Sequence, residues 1–181
     1  MITQRTPAGP NATRKKTKIK VAVICSPGGH LAQSISVLEA FKDCETFMIS
    51  YAFPNLKGFQ DERFRRVYLL KYIRGKRVGL FITLFISLFS VLRIFFRERP
   101  EVLFSTGSEI AIAPFWIGKF LFGTKLIFLE TASRVSEPSL TGKILYPVSD
   151  LFLVQWPSLL EKVGKKALYR GCVYDLCNRG Q

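Results

Sequence analysis

From residue 18 onward, short β-branched runs alternate with segments of helical periodicity, and few folds accommodate that order. The run Ile19-Lys-Val-Ala-Val-Ile-Cys25 is followed at once by Ser26-Pro27-Gly28-Gly29-His30, after which Leu31, Ile35, Leu38 and Phe41 recur at helical spacing. Further strands are expected at 45–50, 66–71, 102–105, 125–129, 151–154 and 168–169, with 54–61 as loop. Helices are expected at 77–97, 109–122 and 139–146, with a short one near Pro157-Ser158. Pro114 is tolerable only near the first turn of its helix or as a kink, and Ser139 after Pro138 suits a helix cap. Strands that alternate with helices and are apolar on both faces imply an α/β fold. The expected architecture is a Rossmann-like parallel sheet with helices on both faces.

At 181 residues the chain has the size of one domain, and its 48% hydrophobic content excludes low-complexity disorder for most of it. The 27 Lys and Arg against 13 Asp and Glu, a net charge of +14, point to anionic partners. Sixteen Phe residues and a mean hydropathy of +0.18 favour a membrane. No nucleic acid is expected as partner, because no recognition motif is present and the aromatics cluster in an apolar helix. Residues 1–17, with Arg14, Lys15 and Lys16, read as a disordered basic tail suited to anionic lipid, without the apolar core of a signal peptide. Residues 172–181 read as a C-terminal tail. The four cysteines, Cys25, Cys44, Cys172 and Cys177, are expected to be reduced and to bind no metal. The carboxylates are scattered and no Asp-x-Asp occurs, so no metal site is expected.

The 78–96 segment carries one charge, Arg93. At ~1.5 Å per residue it nearly reaches across a bilayer. A spanning helix would place the strands before and after it on opposite sides of the membrane, where they cannot pair. Two placements remain: a buried crossover helix, or monotopic insertion into one leaflet. Gly79, Thr83, Ser87, Ser90 and Arg97 fall on one helical face, and Phe81, Phe85 and Phe89 lie ~200° away from the first three. This sidedness favours monotopic insertion, with the small residues on the sheet and the Phe stripe in lipid. Arg74, Lys76 and Arg77 at one end, and Arg93, Arg97 and Arg99 at the other, would then meet lipid phosphates.

Ligands of open parallel sheets sit outside the carboxyl ends of the strands. Three loops there carry chemistry. In the first, Gly28 and Gly29 let backbone N–H groups approach an anion, and His30 stands at the strand-to-helix turn as a candidate general base. His30 is the only histidine of the chain; as a purely structural residue it would cap the helix. The second loop, Thr106-Gly107-Ser108-Glu109, offers N–H groups and hydroxyls to a diphosphate, although the helix dipole explains Glu109 equally well. The third runs from Glu130 through Thr131, Ser133, Arg134 and Ser136 to Lys143. Arg134 and Lys143 can meet phosphate, and Glu130 either contacts the ligand or pairs internally with Arg134.

These motifs carry a resemblance. Ser26-Pro-Gly-Gly-His-Leu31, Ser105-Thr-Gly-Ser, Glu130-Thr-Ala-Ser-Arg-Val135, Pro138-Ser-Leu-Thr-Gly-Lys143, Leu145-Tyr-Pro147, Asp150 and Val154-Gln-Trp-Pro157 resemble the PssD/CpsF-type polysaccharide biosynthesis subunits. Those are bacterial relatives of eukaryotic asparagine-linked glycosylation protein fourteen, in the wider class that includes MurG. The resemblance covers residues 18–171. It implies a single GT-B N-terminal-type domain at 18–171: the acceptor-binding half of a glycosyltransferase split into two polypeptides, with helix 77–97 on the cytoplasmic face of the cell membrane. It further implies a polyprenyl-diphosphate-linked acceptor and a separate small PssE-like subunit that binds the nucleotide-sugar. His30 carries over as base and Glu130 as acceptor contact. The eukaryotic relatives have an N-terminal membrane anchor where this chain has a basic tail.

Residues and resemblance together give one expectation: a membrane-associated subunit of an inverting glycosyltransferase, hexosyl or glucuronosyl, acting in exopolysaccharide or capsule assembly and inactive alone. A UDP-sugar is its substrate and no cofactor is required. A single Rossmann-like layer offers a ligand rim without an opposing wall, so a second domain must close the cleft and exclude water. The alternative is a non-catalytic membrane anchor and activator of a separate catalytic subunit.

Overall fold

The computed structural model describes residues 18–56, 58–71 and 77–174, with the side chains of residue 55 and of 77–86 left out. The 1–17 tail, Arg74, Lys76, and the side chains of Phe81 and Phe85 therefore lie outside the described residues, as does most of the 172–181 tail.

Seven parallel strands form one sheet: β1 (Lys20–Ile24), β2 (Glu45–Tyr51), β3 (Val67–Leu70), β4 (Val102–Ser105), β5 (Lys125–Leu129), β6 (Leu151–Val154) and β7 (Ala167–Tyr169). Their order is β3-β2-β1-β4-β5-β6-β7. The winding direction thus reverses between β1 and β4, which pair from Val21 opposite Val102 to Ile24 opposite Ser105. Among the described residues, five helices connect the strands: α1 (Gly29–Val37), α2 (Arg77–Glu98), α3 (Ile112–Ile117), α4 (Leu140–Leu145) and α5 (Leu160–Val163).

Strand side chains alternate between two cores. Val21, Val23 and Cys25 join Leu31 and Leu38 of the α1 side. Ala22 and Ile24 join Val91, Ile94 and Phe95 of α2 and Phe115 of α3 on the opposite face. The expected Rossmann-like sheet covered on both faces is the fold observed. Its carboxyl edge gathers the three loops that the sequence marks as chemical.

Helix α2 connects β3 to β4, two strands of one sheet, and among the described residues no helix is long and apolar enough to cross a membrane. Its buried face runs through Ser87, Val91, Ile94, Phe95 and Glu98, whereas Phe89 and Phe96 are 61% and 68% exposed. Arg97, expected on the small-residue face, is exposed. Ten residues of helix separate it from Ser87, which turns it ~80° away from the buried line. Glu98 is buried at the end of α2, where Arg66 Nη1 donates to it at 2.6 Å and the Tyr68 hydroxyl donates to the same oxygen. Burial pushes its carboxyl up, but these two donors outweigh burial and hold it below the usual carboxylate range.

The expected helix at 109–122 is broken into three pieces. A 3-10 turn, Glu109–Ala111, precedes α3, and a π-helical turn, Gly118–Phe122, follows it. Pro114 falls in the first turn of α3, where its missing N–H costs no helical bond. The cysteines need one correction. Cys25 and Cys44 are free thiols, and burial pushes the Cys25 thiol up to about 12, but Cys172 is disulfide-bonded. Spacing between cysteines tests metal ligation and is silent on pairing.

Candidate functional site

The β1–β4 switch point is where open α/β sheets form their ligand crevice. The loop after β1 ends in His30, and the loop after β4 holds it. His30 Nδ1 lies 3.0 Å from the carbonyl oxygen of Thr106, and Thr106 Oγ1 donates to the carbonyl of His30 at 2.8 Å. Ser34, one turn along α1, bonds the same Thr106 hydroxyl at 3.1 Å. A carbonyl can only accept, so Nδ1 is the nitrogen that carries the proton in this contact. The neutral ring then presents an unprotonated Nε2, the arrangement a general base needs.

Gly107 covers this ring. A β-carbon there would stand 3.3 Å from His30 Cε1 and 3.5 Å from Nδ1, and the residue has φ +92°. Ser108, beside it, adopts φ 111° without being glycine, which is backbone strain at the rim. Its hydroxyl donates to Glu109 Oε2 at 3.2 Å rather than capping the turn that follows. Above Gly28 and Gly29 a β-carbon would meet nothing within 4 Å, so a ligand can reach their backbone.

The third loop is organised by Glu130, which is fully buried. Its Oε1 accepts the Thr131 N–H at 3.0 Å, and its Oε2 accepts the Ser139 N–H at 3.0 Å and the Ser139 hydroxyl at 3.1 Å. Glu130 is thus held by Thr131 and Ser139 rather than by Arg134. Ser139 caps α4 as expected, accepting Gly142 N–H at 2.9 Å. Gly142 itself leaves the room Glu130 occupies, because a β-carbon would fall 2.2 Å from Oε2. The Ser-Leu-Thr-Gly-Lys block is therefore the cradle of a buried carboxylate. The Val-Gln-Trp-Pro block braces the same loop: Gln155 Nε2 donates to the Glu130 carbonyl at 2.9 Å, and Trp156 Nε1 to the Ala132 carbonyl at 2.7 Å.

The structure brings His30, Thr106, Gly107 and Ser108 together, and Glu130 with Thr131 and Ser139. Arg134 is exposed on its loop. Lys143, also exposed, lines a separate cavity of about 240 Å³ with Tyr146 and Lys162. Two features escaped the reading of single motifs. Gln33 of α1 is 5% exposed and bonds both Thr131 and Gln155, tying the His30 helix to the third loop. A second aromatic surface lies on α3 and its π-helical extension, where Trp116 stacks on Phe120 at 5.5 Å, and Phe120 and Leu121 are 68% and 67% exposed. Phe96 of α2 packs on Phe122 of that extension at 5.1 Å. The Trp-Ile-Gly-Lys-Phe-Leu-Phe run at 116–122 is the signal that could have revealed it.

A seven-stranded parallel sheet of this order has the Rossmann-like fold of a GT-B N-terminal domain. The solved structure of Acinetobacter baumannii MurG superposes with a TM-score of 0.67 at 15% identity, covering 83% of this chain and 45% of that one, so the chain spans about half of MurG. The chain belongs to the Alg14-like family: the family described as oligosaccharide biosynthesis protein Alg14 like matches residues 21–173. Among its relatives, the UDP-N-acetylglucosamine transferase subunit ALG14 of Candida albicans is 28% identical over 183 residues, covering 88% of this chain and 83% of that protein. The Schizosaccharomyces pombe subunit of the same name is 27% identical over 188 residues, covering 90% and 87%.

The Glu130 cradle makes a signed prediction. Alanine in place of a helical glycine ordinarily stabilises by up to about 1 kcal/mol. In Gly142→Ala the new methyl group displaces the Glu130 carboxylate, and urea unfolding should instead show a loss of about 1–3 kcal/mol.

Proposed function

We propose that this chain is the acceptor-holding, membrane-associated subunit of a two-component inverting glycosyltransferase. The relatives' name, a UDP-N-acetylglucosamine transferase subunit, supports a nucleotide-sugar donor and a second polypeptide. It also makes UDP-N-acetylglucosamine the first donor to try. The acceptor is a polyprenyl-diphosphate-linked saccharide of exopolysaccharide or capsule assembly, and a PssE-like subunit supplies most of the donor site. The UDP-sugar is substrate, and the chemistry calls for no cofactor.

The observation that carries this reading is the His30–Thr106 contact, which leaves Nε2 free to take a proton at the crevice. Nε2 removes the proton of the acceptor hydroxyl, and the oxygen attacks the anomeric carbon from the face opposite UDP. The bond from that carbon to UDP breaks, and UDP leaves with the electron pair. Backbone N–H groups at Gly28, Gly29, Gly107 and Ser108, with Thr106 and Arg134, hold the acceptor diphosphate. Glu109 accepts from sugar hydroxyls, and Lys143 adds positive potential. Glu130, its oxygens occupied inside the protein, serves as a positioning carboxylate for the third loop. The exposed aromatics of α2 and α3, among Arg93, Arg97 and Lys119, lie on the cytoplasmic leaflet and keep the rim close to the lipid-linked acceptor.

In the reconstituted pair, His30→Ala should lower kcat by about 10²–10⁴-fold while leaving assembly of the pair and membrane binding intact. Undiminished turnover would leave this chain as the anchor and activator of a catalytic partner. The membrane contact has its own check. Removing Phe89 and Phe120 together by Phe→Ser substitution should weaken co-sedimentation with anionic vesicles by at least about 100-fold, since burying each ring contributes on the order of 1.5–3 kcal/mol. Unchanged co-sedimentation would place the contact elsewhere.

A further inference from the structure

A chain of hydrogen bonds whose amide links have a determined direction crosses the site. Gln155 Oε1 accepts the backbone N–H of Val173 at 2.9 Å, and Gln155 Nε2 donates to the backbone carbonyl of Glu130 at 2.9 Å. One of these backbone groups can only donate and the other only accept, so the Gln155 amide has one orientation. Its Nε2 also donates to Gln33 Oε1 at 3.1 Å, which orients the second amide, and Gln33 Nε2 donates to Thr131 Oγ1 at 3.2 Å. Gln155, Gln33 and Thr131 are 1%, 5% and 8% exposed, so the relay is shielded from water.

The buried Thr131 hydroxyl accepts from Gln33 and must still place its own proton. Ser133 Oγ lies 3.2 Å away, the hydroxyl partner through which that proton can be placed, and we take Thr131 as the donor of this pair. The Ser133 hydroxyl, acting as acceptor toward Thr131, then has its own proton to give, and Ser133 is exposed. Arg134 N–H donates to the Thr131 carbonyl at 3.0 Å, closing the turn that sets Ser133 beside the Arg134 guanidinium-bearing residue.

We propose that Ser133 is an oriented hydrogen-bond donor to a phosphoryl oxygen of the acceptor diphosphate. Gln155 is the positioning residue that sets the direction of that donor through Gln33 and Thr131. This rests on the reading of the rim as a diphosphate-acceptor site, and it adds a binding group and the network behind it. An anionic oxygen is the partner this arrangement selects, because it accepts from hydroxyl and guanidinium at once.

The test is calorimetric binding of farnesyl diphosphate, a short polyprenyl diphosphate, to the full chain in detergent. Ser133→Ala should weaken binding about tenfold, and Ser133→Thr, which keeps the hydroxyl, should restore it. Gln155→Met, similar in volume without the amide, should weaken binding to a similar degree in wild type and have little further effect in the Ser133→Ala background. Unchanged binding by Ser133→Ala, failure of Ser133→Thr to rescue, or fully additive losses would each overturn the inference. If Gln155→Met fails to fold, the Ser133→Ala and Ser133→Thr pair still decides the donor. Absence of any binding by the wild-type chain would instead defeat the acceptor reading itself, and the donor assignment with it.

Discussion

The reciprocal bonds between His30 and Thr106 join the two halves of the sheet at their carboxyl edge. β1 and β4 belong to opposite winding directions, and nothing in backbone pairing obliges their following loops to touch. The imidazole and the threonine hydroxyl supply that contact, each bonding the other residue's carbonyl. The ring orientation, the closeness of Gly107 and the strain at Ser108 follow from it. A glycine is required over the ring because the β4 loop must come within van der Waals distance of an imidazole already anchored at Nδ1.

A buried carboxylate performs the corresponding task for the third loop. An ionisable group without solvent contact is costly unless donors surround it. Glu130 has three, two of them backbone or side-chain groups of a single helix cap. That arrangement turns an otherwise free connection between β5 and α4 into a fixed turn, and it leaves the outer side of the turn, with Ser133 and Arg134, available to a ligand. Local backbone geometry is what this carboxylate sets.

Much of this architecture was legible in the residues. The seven strands were readable because each is a β-branched or aromatic run bounded by Gly, Pro or charge; the switch point was not, because it depends on the strand order. Ser139 as a cap was readable from its place after Pro138. The break in the third helix was only partly so: Pro114 marks a first turn, but the π-helical turn arises where Gly118 lies close to Leu103 of β4, a tertiary contact. Gln33 and Gln155 were invisible as partners, since 122 residues separate them and polar residues carry no periodic signal of burial. Arg97 was misplaced because the three-residue and seven-residue steps that lead to it from Ser87 together turn it ~80° around a 3.6-residue helix.

In the proposed function the α2–α3 face holds the membrane surface and the rim holds the polar head of a lipid-linked acceptor. The reading requires another polypeptide to supply the second wall of the crevice. The decisive measurement is sugar transfer from UDP-N-acetylglucosamine to a polyprenyl-diphosphate acceptor, followed with this chain alone, with the donor-binding polypeptide alone, and with the two mixed. Turnover only in the mixture is the predicted result; turnover by this chain unaided would contradict the account.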